Sequence, residues 1–361
     1  MYDYLICGSG LFGSTFANIA HSKGKKCLVM EKRNHIAGNV YSEKREGIDV
    51  HVYGPHIFQT KHKYIWDYVL NFCEMLDYWH IVKANYKDKI YSLPFNMNTF
   101  QELWGCNTSE EAKILIEQKR IKIENPKNLE EQALSMVGQE IYEKLIRDYT
   151  KKQWMHDPKD LPASIIKRIP LRFEFNNNYH DALYSGIPKD GYTNLVENML
   201  EGIEVRLNED FFDTNWNLIA KKIIYTGPID RFFNYRYGEL EYRTLKFEHK
   251  TLNIPDFQGI SQMNYTSEDI AYTRIVEHKH FNQKNTNNTI ITYEYPEIWN
   301  KDSVPYYPVT TDENKEIYVK YKKEAAKLEN VIFGGRLAQY VYIDMDQTIS
   351  MAINATKKEF H

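Results

Sequence analysis

Gly8-Ser9-Gly10-Leu11-Phe12-Gly13 has the residue types and spacing that let a backbone wrap a phosphate. In such a turn the first glycine permits the tight bend, the second lets main chain approach a pyrophosphate, and the third lets helix pack on strand. A helix opening behind it presents unpartnered N–H groups to an anion. Glu31 follows at the spacing of a carboxylate that accepts hydrogen bonds from a ribose diol. Past Glu31, the run Lys32-Arg33-Asn34-His35-Ile36-Ala37-Gly38-Asn39 is a small glycine-containing turn, a habit of FAD folds rather than NAD folds. A late Gly334-Gly335-Arg336, with a helix soon after, is a second cue. There a strand–helix junction would cover the ribityl and pyrophosphate of an extended cofactor. The candidate cofactor residues are therefore Gly8, Ser9, Gly10, Leu11, Phe12, Gly13, Glu31, Lys32, Gly38, Asn39 and Arg336.

Other residues with chemical potential are scattered. Gly54-Pro55 fixes a loop that places His56 where a flavin edge could lie. Arginines recur beside aromatics, as at Trp154, Arg168, Arg274 and Tyr306-Tyr307. Guanidinium groups bind phosphate bidentately and aromatic faces stack on bases, so such segments can converge on a diphosphate. His278 and His280 are expected on one face of a strand beside Glu277, but without a matching ligand set no metal is expected.

The elements that must position these groups follow from apolar patterning. Tyr4 to Cys7 and Lys26 to Met30 are short buried strands flanking a helix over Leu11 to His21, a β-α-β unit. Residues 64–76, 98–119 and 128–154 are expected as helices, the last opening on a capping-box-like Asn128-Leu-Glu-Glu131. Strands return at Arg243–Leu252, Tyr272–Lys279 and Thr289–Tyr295, with a polar turn at Asn282–Asn288. Val331–Phe333 is a last strand, and Asp346 to Lys357 a closing helix. The expected fold is α/β: a discontinuous Rossmann-like FAD-binding domain with a helical domain and an antiparallel β-sheet domain. Residues 1–76 begin the FAD domain and 77–165 are mainly helical. Residues 166–200 and 243–320 form the sheet domain, and 201–242 and 321–361 return to the FAD domain.

A chain of 361 residues has room for two or three packed modules. Its net charge of −3 gives no polyanion such as nucleic acid a reason to bind. The 28 tyrosines supply stacking faces with hydroxyls, which suit sugars and ring cofactors. Cys7, Cys27, Cys73 and Cys106 include no CxxC pair and are expected as reduced thiols. The N-terminus lacks a basic signal region and no apolar run spans a membrane, so a cytoplasmic location is expected.

Colinear segments over nearly the whole chain resemble the bacterial UDP-galactopyranose mutases. They include the opening glycine turn with Glu31-Lys32-Arg33-Asn34-His35, Leu93-Pro94-Phe95-Asn96, Lys151-Lys152-Gln153-Trp154 and Ile166-Lys167-Arg168-Ile169-Pro170. Further on come Tyr225-Thr226-Gly227-Pro228, Tyr272-Thr273-Arg274, Pro305-Tyr306-Tyr307-Pro308 and Gly334-Gly335-Arg336-Leu337-Ala338. The resemblance implies interconversion of UDP-galactopyranose and UDP-galactofuranose by attack of reduced-flavin N5 on the anomeric carbon, with no net redox. It also implies an electron donor to FAD and a homodimer. Carried over by motif, Arg168 and Arg274 clamp the diphosphate, Tyr307 and Tyr342 hydrogen-bond it, and Tyr179 contacts the uridine. Trp154, Arg243, Glu294 and Asp344 border the substrate, His56 keeps N5 nucleophilic, and Arg336 and Met345 lie by the flavin.

Gly54-Pro55-His56-Ile57-Phe58-Gln59-Thr60 departs from the family pattern, placing Gln59 where a histidine is usual. An amide there opens the substrate choice to UDP-GalNAc. Ala37 stands for a usual glycine, a mild change if its φ is negative. The rival readings are an amine-oxidase-like FAD oxidoreductase and a non-catalytic nucleotide-sugar sensor.

Overall fold

Tyr2–Cys7 and Cys27–Glu31 pair as parallel strands, with Leu5 opposite Leu28. Parallel strands are covered on both faces, which is why they read as unbroken apolar runs. Successive side chains still point to opposite sides. Ile6, Val29 and Ile224 pack with Phe16, Tyr192 and Ile349, whereas Leu5, Leu28 and Ile223 pack with Phe211 and Val331. The computed structural model describes residues 1–282 and 285–360, and of Arg168 the backbone alone.

The chain divides into two compact units. The first comprises Met1–Asp77, Leu183–Tyr242 and Trp299–His361. Its main sheet runs Glu204–Leu207, Cys27–Glu31, Tyr2–Cys7, Ala220–Tyr225, Val331–Phe333, all parallel. By chain position this order is third, second, first, fourth, fifth, so it reverses beside Tyr2–Cys7. Doubly wound sheets bind ligands outside the carboxyl ends of the strands at such a reversal. Cys7 and Tyr225 are register partners there. The helices Leu11–Ser22, Tyr192–Met199 and Met345–Phe360 cover one face, contributing Phe16, Leu195 and Ile349 to its core. A small antiparallel sheet joins Phe58–Thr60 and Met75–Asp77 to Tyr184–Pro188.

The second unit comprises Tyr78–Ala182 and Arg243–Ile298. Its strands are ordered Tyr242–Leu252, Thr289–Glu297, Arg274–Glu277, Gln262–Tyr265, Val82–Tyr86, Lys89–Leu93. Only Gln262–Tyr265 and Val82–Tyr86 pair in parallel. The expected separation of a helical domain from a sheet domain is thus not the division found. Helices and sheet share the second unit, while 183–200 and 299–320 lie in the first.

Three expected helices are corrected. The 64–76 helix ends at Leu70, and Met75–Asp77 is a strand. The 98–119 helix is two, Met97–Trp104 and Ser109–Lys119. Gly105 ends the first at φ 72°, and Thr108 caps the second together with Glu111. The 128–154 helix starts as expected, with the Asn128 side chain accepting from Glu131 N. It breaks at Gly138, where φ is 79° and an added Cβ would stand 2.4 Å from Lys119 O. It continues as a π turn over Tyr142–Arg147 and a helix over Asp148–Trp154. Of the polar turn Asn282–Asn288, Gln283 and Lys284 lie outside the described residues.

Candidate active site

The glycine turn in the first unit is built by close contact. Gly8 has φ 101°, and a Cβ there would stand 2.4 Å from Thr226 Oγ1. A Cβ on Gly13 would lie 2.0 Å from the Gly8 carbonyl oxygen, so helix and strand touch at that residue. A Cβ on Gly10 would meet nothing within 4 Å. That open side faces a cavity lined by Gly8, Gly10, Leu11, Phe12 and Gly13, behind which the helix begins. Its first N–H groups have no partner within the helix.

Glu31 is 5% exposed and lines the same cavity. Its Oε2 accepts from Ser9 N at 3.0 Å and Ser9 Oγ at 2.8 Å, and its Oε1 from Arg33 N at 3.1 Å. Ser9 is not among the lining residues; it orients Glu31. Lys32, Gly38, Asn39 and Met345 do line the cavity. Ala37 lines it with φ 73°, which corrects the expectation of a negative φ. An L side chain pays about 1–2 kcal/mol for that backbone conformation. The late glycine pair reaches the same place. A Cβ on Gly334 would stand 2.0 Å from the Phe12 ring, and Gly335, Arg336 and Leu337 line the cavity.

His56 also lines it. Its Nδ1 is 2.8 Å from Gly54 O, which only accepts, so Nδ1 carries a proton and donates there. Its main-chain N–H donates to His51 Nδ1 at 3.1 Å. Burial, with His56 nearby, pulls His51 down to about 3, so it stays neutral and can accept. Burial pushes the Cys7 thiol up, so the one cysteine lining the cavity is no thiolate.

Arg336 donates to Tyr306 O at 3.2 Å and Ile343 O at 2.7 Å, with its guanidinium 4.3 Å from the Tyr307 ring centre. Tyr307 and Tyr342 stack at 4.8 Å and 20°. The structure therefore gathers Arg336, Tyr307 and Tyr342. Asp344 is nearby in sequence, its N–H donating to Gln347 Oε1 as the last helix opens. Gln59 lies on Phe58–Thr60, half-buried between two buried neighbours and opposite Ser185.

In the second unit Arg274 and Glu294 are register partners on adjacent antiparallel strands. Their side chains form an ion pair at 2.9 Å, 17% and 2% exposed. Arg243 lies 5.0 Å over the Trp154 ring. Tyr179 N–H donates to His80 O at 2.7 Å, and its ring meets His80 and His180 edge-on. Arg168 ends the 3₁₀ segment Ala163–Arg168, and its side chain lies outside the described residues.

The expected strand face joining His278 to His280 is corrected. The strand ends at Glu277, and His278–His280 is a 3₁₀ turn. His278 is hydrogen-bonded to Thr292 Oγ1 at 2.6 Å, while Asp256, Glu277 and His280 come together instead. Lys279 Nζ is 3.0 Å from Asp256, and Glu277 accepts from Phe257 N, Gln258 N and Thr289 Oγ1. Those contacts make the cluster a bracket between loop and strand.

Pattern reasoning missed several cavity residues, among them Arg33, Asp210, Thr226, Arg231 and Thr348. Arg33 donates to Asn39 at 2.9 Å, and Arg231 pairs with Asp210 at 2.8 Å. The signal for Thr226 was present as Tyr225-Thr226-Gly227-Pro228, a strand ended by a Gly-Pro break. Asp210 carries no comparable signal.

Residues 144–342 match the family described as UDP-galactopyranose mutase, and residues 6–72 an NAD(P)-binding Rossmann-like domain. A dTDP-fucopyranose mutase of Escherichia coli is 38% identical over 99% of this chain and 98% of its own length. A probable UDP-galactopyranose mutase of Klebsiella pneumoniae is also 38% identical, over 99% and 94%. Among solved structures, a reduced UDP-galactopyranose mutase covers 100% of this chain and 94% of its own, with TM-score 0.76 and 14% identity. A putrescine oxidase variant follows at TM-score 0.63 and 11% identity, covering 99% and 98%. At those identities the structural likeness speaks to fold alone. Among the described residues no helix is long and apolar enough to cross a membrane.

Proposed function

The chain belongs to the UDP-galactopyranose mutase family, and from that premise we propose that it interconverts UDP-galactopyranose and UDP-galactofuranose using FAD in its reduced form. The observation that carries this reading is one cavity in the first unit. The N-terminal glycine turn, His56 and the late Gly335–Leu337 segment line it together, although they are far apart in sequence.

The residues present fit such a cofactor. The open side of Gly10 leaves room for a pyrophosphate. Arg33 Nη1 and Arg336 Nε are buried without a hydrogen-bond partner among the described residues. Buried donors left unpaired are costly, so a ligand rich in acceptors suits them. Glu31, held by Ser9, offers its carboxylate to a ribose diol. Reduced FAD supplies an electron-rich N5 that can bond the anomeric carbon and later release it without net redox.

The protein's own task is to bind, orient and balance charge. His56, its ring anchored by Nδ1 donating to Gly54 O, would orient the ring system of the cofactor. Arg274, and Arg168 by motif, would hold the diphosphate as its charge grows on leaving. Tyr307 and Tyr342 would donate hydroxyls to it, Tyr179 would contact the uridine, and Trp154, Arg243, Glu294 and Asp344 would border the sugar. An electron donor must reduce the cofactor, and a homodimer is the assembly proposed.

A second reading concerns which nucleotide sugar is converted. The dTDP-fucopyranose mutase match favours a 6-deoxy sugar on dTDP, and Gln59 favours UDP-GalNAc. The test is anaerobic incubation of the reduced protein with UDP-galactose, UDP-GalNAc and dTDP-fucose, followed by product chromatography. A furanose product from UDP-galactose supports the proposal. Turnover of dTDP-fucose alone transfers it to the second reading, and reduction of oxidised flavin by the sugar in a parallel anaerobic incubation, with oxidised sugar formed, transfers it to an oxidoreductase.

A further inference from the structure

Lys152 lies on the helix Asp148–Trp154, two residues before Trp154. Its ammonium donates to four main-chain carbonyl oxygens: Tyr265 at 2.8 Å, Ser267 at 2.8 Å, Ile270 at 2.9 Å and Tyr272 at 3.2 Å. Tyr265 ends the strand Gln262–Tyr265, and the other three belong to the connection from it to the strand Arg274–Glu277. An ammonium has three N–H bonds. The three shorter contacts take one each, and the fourth is a longer, shared one. Carbonyl dipoles that converge on a point repel one another unless a cation sits there, and rings of such oxygens are how proteins hold potassium.

The same loop is tied twice more nearby. Thr266 Oγ1 donates to Lys144 O at 2.7 Å, a carbonyl on the π turn, and Thr266 N donates to Asn85 O at 2.9 Å. The loop leads directly into Thr273, whose N–H donates to Glu294 O, and then Arg274, which pairs with Glu294. On the helix side, Trp154 carries the Arg243 guanidinium over its ring.

We infer that Lys152 is a positioning residue for the nucleotide-sugar site, a built-in monovalent cation whose four-carbonyl cage fixes the 265–272 loop and so holds Arg274 in register with Trp154. This rests on the reading that Arg274 and Trp154 meet the substrate. Lys152 itself need touch neither substrate nor cofactor. Removing its side chain would expose a latent site for a small monovalent cation.

The test uses the full-length flavoprotein with UDP-galactose as substrate and UDP as ligand. K152M is expected to raise KM, and weaken UDP binding by calorimetry, about tenfold, with flavin content unchanged and kcat within about twofold. For K152A, ammonium or potassium chloride at about 0.1 M is expected to restore much of the lost affinity. Tetramethylammonium chloride, too large for the cage at the same ionic strength, should not. K152Q, which keeps two N–H donors, is expected to lie between wild type and K152M, and stands in for K152M if the latter does not fold. Wild-type UDP affinity in K152M or K152Q would overturn the inference. So would equal recovery with tetramethylammonium. If the wild-type protein converts no sugar, the proposed activity fails, while UDP calorimetry still decides the role of Lys152.

Discussion

Gly10 and Gly13 lie three residues apart and should respond oppositely to one added methyl. A Cβ at Gly13 meets main-chain oxygen at 2.0 Å, so helix must part from strand. Gly13→Ala is expected to cost about 3 kcal/mol, the upper end for overpacking, in denaturant unfolding. A Cβ at Gly10 meets no protein atom, so Gly10→Ala should unfold like wild type yet purify with little flavin. Flavin absorbance per protein, read beside the unfolding curve, separates the two. Arg274 calls for a similar separation. Arg274→Ala leaves the buried Glu294 carboxylate without its cation, a loss of about 3 kcal/mol. Adding Glu294→Gln should recover most of that stability and none of the UDP affinity, if the guanidinium clamps the diphosphate. Recovery of both would remove that role. Ala37 marks what sequence could not supply. Its identity was legible, but the sign of its φ depends on the turn that brings Gly38 against Gly10, where a Gly38 Cβ would stand 3.0 Å from Gly10 Cα.

At the scale of elements, Glu140 joins three segments of the second unit. It accepts from Trp104 Nε1 at 2.8 Å, Lys119 at 3.0 Å and Lys144 at 2.8 Å. Burial alone would raise this carboxyl, but those donors outweigh burial and bring it to about 2. The folded protein therefore binds this proton less readily than the unfolded chain. The stabilisation is fully present above the ordinary value near 4.5 and is lost as pH falls through about 2. Glu140→Gln is expected to lower stability at pH 7 by about 1–2 kcal/mol, a figure discounted because the carboxylate is one-third exposed. The gap from wild type in urea unfolding should narrow from about pH 4.5 downward. A gap independent of pH would assign the loss to packing. The same region shows why helix limits were misread. Periodicity carried the pattern through Gly105 and Gly138, because a single glycine is compatible with a helix until close packing or a left-handed φ demands it. The Asn128 cap and the β-α-β start were legible since their signals are local.

At the scale of the whole molecule, the sequence allowed three modules where the chain forms two units. Tyr184–Pro188 belongs with Phe58–Thr60 and Met75–Asp77, partners more than a hundred residues away. No local pattern announces pairing over such a distance. The site was legible in the same uneven way. The glycine turn and Glu31 declared themselves by spacing. His56, Arg274, Tyr307 and Tyr342 stood out through likeness to a family, and Asp210 and Arg231 became visible only in the folded cavity. The central claim joins the cradle to chemistry at the sugar, and the most direct measurement is conversion of UDP-galactose against the fraction of bound flavin reduced, set by dithionite titration under anaerobic conditions. The account predicts a rate that rises in proportion to the reduced fraction, vanishes when the flavin is fully oxidised, and consumes no reductant per turnover. A protein that binds no flavin, or one that converts the sugar equally well with the flavin oxidised, would contradict it.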